Sequence, residues 1–159
     1  MKAPLAILLF SVFIFTVSAQ ETWNLYHEDN SGLLNNRIAL IAKGHAQSLW
    51  VAYAGAGGEG EGISHFDGQT WTHYDHTNSG LLNSDIRAVK VDNHGNTWFA
   101  CYDAGVVKFD GNTWTSYTDE NSGIVGNNVS TLHVDSDNNL WIGAYQSGIS
   151  KFNGEDWVN

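Results

Sequence analysis

Three tyrosines stand beside groups that hydrogen-bond well: Tyr53 ahead of Glu59 and Glu61, Tyr102 next to Asp103, and Tyr145 next to Gln146. A phenol ring packs on the apolar face of a sugar, while a neighbouring carboxylate or amide takes its hydroxyls in bidentate hydrogen bonds. These residues form the candidate ligand-binding set, and a polar small molecule or glycan is the ligand class they suit. Other groupings carry less. His73-Tyr74-Asp75-His76 holds two imidazoles and a carboxylate, but positions 73 and 76 of one strand face opposite ways. Asp135-Ser136-Asp137-Asn138-Asn139 opens like a calcium loop, yet Gln146 occupies the place of the bidentate Glu, so a hairpin turn accounts for it better. Asp103 with Glu59 or Glu61 would make a carboxylate pair for glycoside cleavage, which is the weaker, hydrolase or lyase, alternative. The sequence holds no Gly-x-Ser-x-Gly, no His-Glu-x-x-His and no phosphate loop. No catalytic residue, metal or cofactor is expected.

The elements that carry these residues recur. Trp23, Trp71, Trp114 and Trp157 are spaced by 48, 43 and 43 residues. Between them return Asn30-Ser31-Gly32-Leu33, Asn78-Ser79-Gly80-Leu81 and Asn121-Ser122-Gly123-Ile124, then Leu49-Trp50, Thr97-Trp98 and Leu140-Trp141. Phe66-Asp67-Gly68, Phe109-Asp110-Gly111 and Phe152-Asn153-Gly154 complete the pattern. A period in the forties, rich in Trp and Gly, marks four-stranded propeller blades. The expected fold is all-β: β-propeller blades, about three four-stranded antiparallel repeats (about 23–70, 71–113 and 114–156), making an incomplete ring or fragment. Large residues on both faces of each strand require sheets covered on both sides, as blades stacked around an axis are. Most tryptophans recur at equivalent strand positions and are therefore assigned to blade packing.

In such a meander the loops after the second and fourth strands emerge on one face, where the Asn-Ser-Gly loops and the candidate residues gather. Unit one is longer there, with 16 residues from Trp50 to Phe66 against 11 in the other units. The extra length makes Ala54 to Gly62 a Gly-rich acidic loop, which is either a functional loop or a tolerated surface insertion.

Residues 1–19 read as a signal peptide: Lys2, an apolar run from Ala6 to Val17, and small residues at Val17-Ser18-Ala19. The mature array would begin near Gln20 and be periplasmic or secreted, with no membrane insertion after cleavage. The chain has 17 acidic against seven basic residues, one of which, Lys2, leaves with the leader. That balance disfavours nucleic acid and anionic membranes as partners. Cys101 is the single cysteine and lies in the apolar run Trp98-Phe99-Ala100-Cys101-Tyr102, where a buried, inert thiol is expected.

The unit Asn-Ser-Gly-Leu/Ile, a short Val/Ile strand, Asp, a turn and Asn-Leu-Trp-Ile-Gly resembles the two-component regulator propeller repeat. Asn121-Ser122-Gly123-Ile124, Val129, Leu132, Asp135 and Asn139-Leu140-Trp141-Ile142-Gly143 carry the resemblance best. Ser79-Gly80-Leu81, Ile86, Val89, Asp92 and Gly95-Asn96-Thr97-Trp98 follow, and unit one is looser, with Lys43 and Gly44 where Val and Asp would fall. The resemblance implies an extracytoplasmic sensor propeller of the kind found in bacterial hybrid histidine kinases, which often detect oligosaccharides, or a related secreted protein. What it carries over is the binding module.

Three wedges of aromatic-filled sheet are too few for the usual ring of four to eight blades. The first expectation is therefore further blades of a longer array. The alternative is a structural or protein-interaction propeller, a homo-oligomer in which short chains join head to tail, two copies giving six blades.

Overall fold

Four short apolar runs, cut by Asp-, Asn- and Gly-rich turns, build each sheet. The computed structural model describes residues 24–55 and 60–159. The leader expected at 1–19, the repeat-opening Trp23 and the candidate Glu59 lie outside the described residues. The first sheet runs β1 (Ile38–Lys43), β2 (Leu49–Ala54), β3 (Gly60–Phe66) and β4 (Trp71–Tyr74). The second runs β5 (Ile86–Val91), β6 (Thr97–Cys101), β7 (Gly105–Phe109) and β8 (Trp114–Tyr117). The third runs β9 (Val129–Val134), β10 (Leu140–Ala144), β11 (Gly148–Phe152) and β12 (Trp157–Val158). Each is an antiparallel meander in chain order. The first strands β1, β5 and β9 lie beside one another and surround the axis, leaving the fourth strands outside. A repeat counted from its Trp thus starts on the outer strand of one blade and continues through three strands of the next.

Burial follows from this stacking. The strand β6 is buried along its whole length, as a strand covered on both faces must be. Its alternate residues enter two different cores. Phe99 and Cys101 join Val89 and Val107 against Trp50, Ala52 and Ile63 of the first blade. Trp98 and Ala100 join Val106 against Leu132, Leu140, Ile142 and Phe152 of the third. Trp50 meets Phe99 edge-on at 5.0 Å, and Trp98 meets Phe152 edge-on at 5.6 Å. In β8, Trp114 faces the first blade and Tyr117 the third, as their spacing of three predicts.

The tandem blades are locked by the Asn-Ser-Gly loops. The Asn78 amide accepts from the Asp75 N–H and donates to the His73 carbonyl, while the Ser79 hydroxyl donates to the Asp75 carbonyl and accepts from the Leu81 N–H. Asn30 and Ser31 make the same set, and Asn121 and Ser122 repeat its first three bonds. The glycine that follows rests on the outer-strand tryptophan of the next blade. A Cβ added to Gly80 would lie 2.2 Å from Trp114 Cβ, and one on Gly32 would lie 2.3 Å from Trp71 Cβ. These motifs are therefore structural, tying each blade to its successor. Backbone bonds reinforce the tie, from the Gly62 N–H to the Ser84 carbonyl and from the Gly105 N–H to the Asn127 carbonyl.

A second device holds the second-strand indoles. Trp98 Nε1 donates to the Asp92 carboxylate at 2.9 Å, and Trp141 Nε1 to Asp135 at 2.8 Å. The first blade has Gly44 at that position, and its Trp50 stacks on His65 instead, 4.2 Å between ring centres. The ring stays open: the described residues form three blades, with one face of the first and one of the third uncovered.

A methyl group has no room at the interblade glycine. Gly80→Ala should lower unfolding free energy by about 1–3 kcal/mol, the usual penalty of overpacking a rigid contact, measured by urea denaturation; an unchanged midpoint would show that the loop does not bear on Trp114.

Candidate functional site

On the face where second-to-third-strand loops and Asn-Ser-Gly loops converge, the inner strands carry a repeated irregularity. Register shifts occur between Ile38 and Leu40, between Ile86 and Ala88, and at Ala144 opposite Val129. A bulge re-aims the residue it contains. In the second blade that residue is Arg87, which pairs with the Asp85 carboxylate at 2.6 Å and lies over the Tyr102 ring, 4.3 Å from its centre. The Asn83 amide donates to the Tyr102 carbonyl, and the Tyr102 N–H donates to the Asp85 carbonyl, so this corner is held at several points.

Beside it, between the first and second blades, lies an open cleft of about 330 Å³. Its walls include Ala39, Ala54 and Gly55 from the first blade and Asp85 and Arg87 from the second. Gly60, where the chain returns from the inserted loop, presses on Asp85: an added Cβ would fall 2.1 Å from Asp85 Cα. Small residues thus leave the space, and an ion pair with an adjacent phenol supplies the polar contacts. Such a corner can take hydroxyl, amide or carboxylate groups.

The sequence-derived candidates separate. Tyr53 is buried; its hydroxyl donates to Ser64 Oγ at 2.7 Å and accepts from the Leu34 N–H at 3.1 Å. The reason is register. Tyr53 pairs with Ile38 as Cys101 pairs with Ile86 and Ala144 with Val129, so its counterparts are Cys101 and Ala144. Tyr102 and Tyr145 are one position further on, and a one-residue step reverses the facing of a strand side chain. Both of these are exposed. Asp103 and Gln146 hold the same place in their turns, with φ of 50° and 60°, and both are exposed. Glu61 is engaged by the Arg37 guanidinium and the Asn35 amide. Tyr102 and Asp103 therefore flank the Asp85–Arg87 corner, Tyr145 and Gln146 sit on the third blade, and Tyr53 contributes only to the cleft floor.

Asp85 and Arg87 are absent from the sequence-derived set. Their signal is Arg87 itself, a charged residue directly after Ile86 at the start of the first-strand run Ile86 to Val91, whose other charge is Lys90. Asp103 and Glu61 occupy different blades, with Glu61 held by Arg37. His73 and His76 diverge, the latter bonding Ser84 Oγ at 2.8 Å. Among the described residues no three His, Cys, Asp or Glu side chains converge as metal ligands. Cys101 is fully buried, and desolvation pushes its thiol up to about 11.

Asp135 is committed to its hairpin, accepting from the Trp141 indole, the Asn139 amide and the N–H groups of Asp137 and Asn139. These donors, the indole foremost, hold its carboxyl at about 2 against an ordinary 3.8. At Asp67 the Thr70 N–H and hydroxyl and the Gln69 N–H do the same, again to about 2.

The arrangement is that of an open arc of β-propeller blades with a polar cleft on its loop face. Residues 123–146 match the family described as two component regulator propeller. Among solved structures, the chain is similar to the extracellular domain of BT3049, assigned as a hybrid two component system of B. thetaiotaomicron, with a TM-score of 0.63 and 22% identity over 80% of this chain and 17% of that one. It is also similar to the extracellular domain of BT4673 of the same organism, with a TM-score of 0.60 and 23% identity over 80% of this chain and 19% of that one. PorZ, a surface component of the type-IX secretion system of Porphyromonas gingivalis, follows with a TM-score of 0.53 and 20% identity over 73% of this chain and 17% of that one. No curated protein matches the chain in sequence. The chain thus spans less than a fifth of the length of these structural neighbours, and the likeness establishes the shared propeller fold. No helix among the described residues is long and apolar enough to cross a membrane.

A depressed carboxyl stabilises the fold above its ordinary 3.8, and that contribution is lost as pH falls toward about 2. The denaturation midpoint of the wild type should therefore drop across this window. Asp135→Asn, which removes one titrating group, should show a shallower drop, read from urea curves at matched pH values; parallel curves would mean the clamp does not form.

Proposed function

We propose that this chain is an extracytoplasmic, non-catalytic recognition module whose loop face binds a polar small molecule or glycan. The observation that carries the reading is the cleft lined by Asp85 and Arg87 and kept open by small residues, with the Tyr102 phenol held against the Arg87 guanidinium beside it. A guanidinium with a partly satisfied carboxylate offers both donors and acceptors, as vicinal hydroxyls require. Arg87 covers one face of Tyr102, so a sugar ring would stack on the other or along the edge. The leader-like first 19 residues support export, and the solved neighbours that are extracellular domains of regulators agree with it. The repeat match at 123–146 supports a sensor origin. A propeller that senses needs only to change its affinity or loop conformation on occupancy, so no reacting group is called for.

Isothermal titration of the mature protein with a panel of neutral and uronic-acid oligosaccharides tests the reading. Binding should appear for at least one member and weaken about tenfold or more in Arg87→Ala and Tyr102→Ala, the loss of roughly one well-placed contact. Absence of heat across the whole panel, or binding indifferent to both substitutions, would refute it.

A further inference from the structure

Two blade faces lie uncovered among the described residues, and each repeats a surface that is buried elsewhere in the same molecule. On the first blade, Ile41 is 64% exposed, whereas its counterparts Val89 and Leu132 are 5% and 3% exposed. On the third, Trp141 and Ile149 are 38% and 60% exposed. Their counterparts Trp50 and Trp98 are 2% and 3% exposed, and Ile63 and Val106 are fully buried. The first face is the receiving half of an interblade contact, and the third-blade face is the inserting half.

The receiving half is a groove of about 270 Å³, predominantly apolar, walled by Ile41, Leu49, Phe66 and Trp71. Its counterpart on the second blade, built around Phe99, Phe109 and Trp114, takes Trp50 edge-on, at 5.0 Å from Phe99 and 6.2 Å from Phe109. Phe66 and Trp71 stack at 4.8 Å, as Phe109 and Trp114 stack at 4.3 Å, so the walls of the groove are already set. Tyr26 also lines it. The inserting half is set as well. Trp141 keeps its indole on Asp135 at 2.8 Å and under Lys151 at 5.3 Å, the pose of Trp98 between Asp92 at 2.9 Å and Lys108 at 5.8 Å. An exposed indole held in its docked rotamer loses little entropy on binding.

We propose that the two faces are complementary halves of one interface, occupied by a second copy of this chain: Trp141 and Ile149 of each copy enter the groove at Ile41 and Phe66 of the other. The internal contacts show that these surfaces pack when brought together, and both halves belong to one chain. Head-to-tail contacts close when the rotation per unit permits. Two copies of three blades make a six-blade ring, within the usual four to eight, whereas three copies make nine.

Sedimentation of the mature protein at micromolar concentration should return twice the chain mass. Ile149→Asp and Ile41→Asp alter opposite faces at exposed positions, so both variants should keep the wild-type β circular dichroism while each dissociates about tenfold or more readily. An equimolar mixture should recover part of the dimer, because one intact inserting face then meets one intact receiving face. A folded wild-type monomer overturns the proposal. So does a dimer disrupted by only one of the two substitutions, which would be a face-to-face contact, or a dimer unaffected by either.

Discussion

Everything in this molecule depends on one contact, repeated: the insertion of a second-strand indole into the aromatic face of the next sheet, with a glycine of the connecting loop pressed on that sheet's outer tryptophan. Trp50 on Phe99 and Trp98 on Phe152 supply the apolar burial. Gly80 on Trp114 and Gly123 on Trp157 set the distance at which that burial occurs. A single four-stranded sheet with large residues on both faces has no stable existence in water, so each blade is completed only by its neighbours. The same requirement that makes the middle blade stable makes the outer two adhesive.

The loop face inherits its geometry from this packing. Because the backbone of Gly62 bonds Ser84 and that of Gly105 bonds Asn127, the second-to-third-strand ends of the first two blades are fastened to the segment that leads into the first strand of the following blade. The cleft beside Arg87 therefore sits between two blades. Deviations from the repeat accumulate at that point. The first blade exchanges the Asp–Trp clamp for a His65 stack, places Arg37 and Glu61 where the second blade has Asp85 and a turn, and opens space with alanine and glycine. A periodic scaffold differentiates where its neighbour contacts are already satisfied, because substitutions there do not disturb the stacking.

Acidity and aromatic content divide along the same lines. The carboxylates of Asp67, Asp110 and Asp135 are spent on turn N–H groups and, for Asp135, on an indole, so much of the negative composition is structural wiring. Asp85 differs: it faces the loop surface, accepts from Arg87 and borders open space. Composition alone does not separate these two uses of the same side chain. Hydrogen-bond partners do.

What the sequence by itself determined was the unit: strand order, turn positions, the blade-packing role of the recurring tryptophans and the two-faced character of Trp114 and Tyr117. These follow from local periodicity and turn chemistry, which act within about forty residues and repeat three times. What only the tertiary structure decided was the register. Tyr53, a candidate beside Tyr102 and Tyr145, aligns with Cys101 and Ala144 and points into the core: it lies three residues after Trp50, where Tyr102 and Tyr145 lie four after Trp98 and Trp141, and strand pairing fixes which of those places is buried. Arg87 and Asp85 emerged for the same reason, since a bulge turns a strand position toward the loop face without leaving a mark in hydrophobic alternation. The identity of the two open faces likewise arises from comparing equivalent positions in space, where exposure depends on which neighbour is present and not on the residue itself.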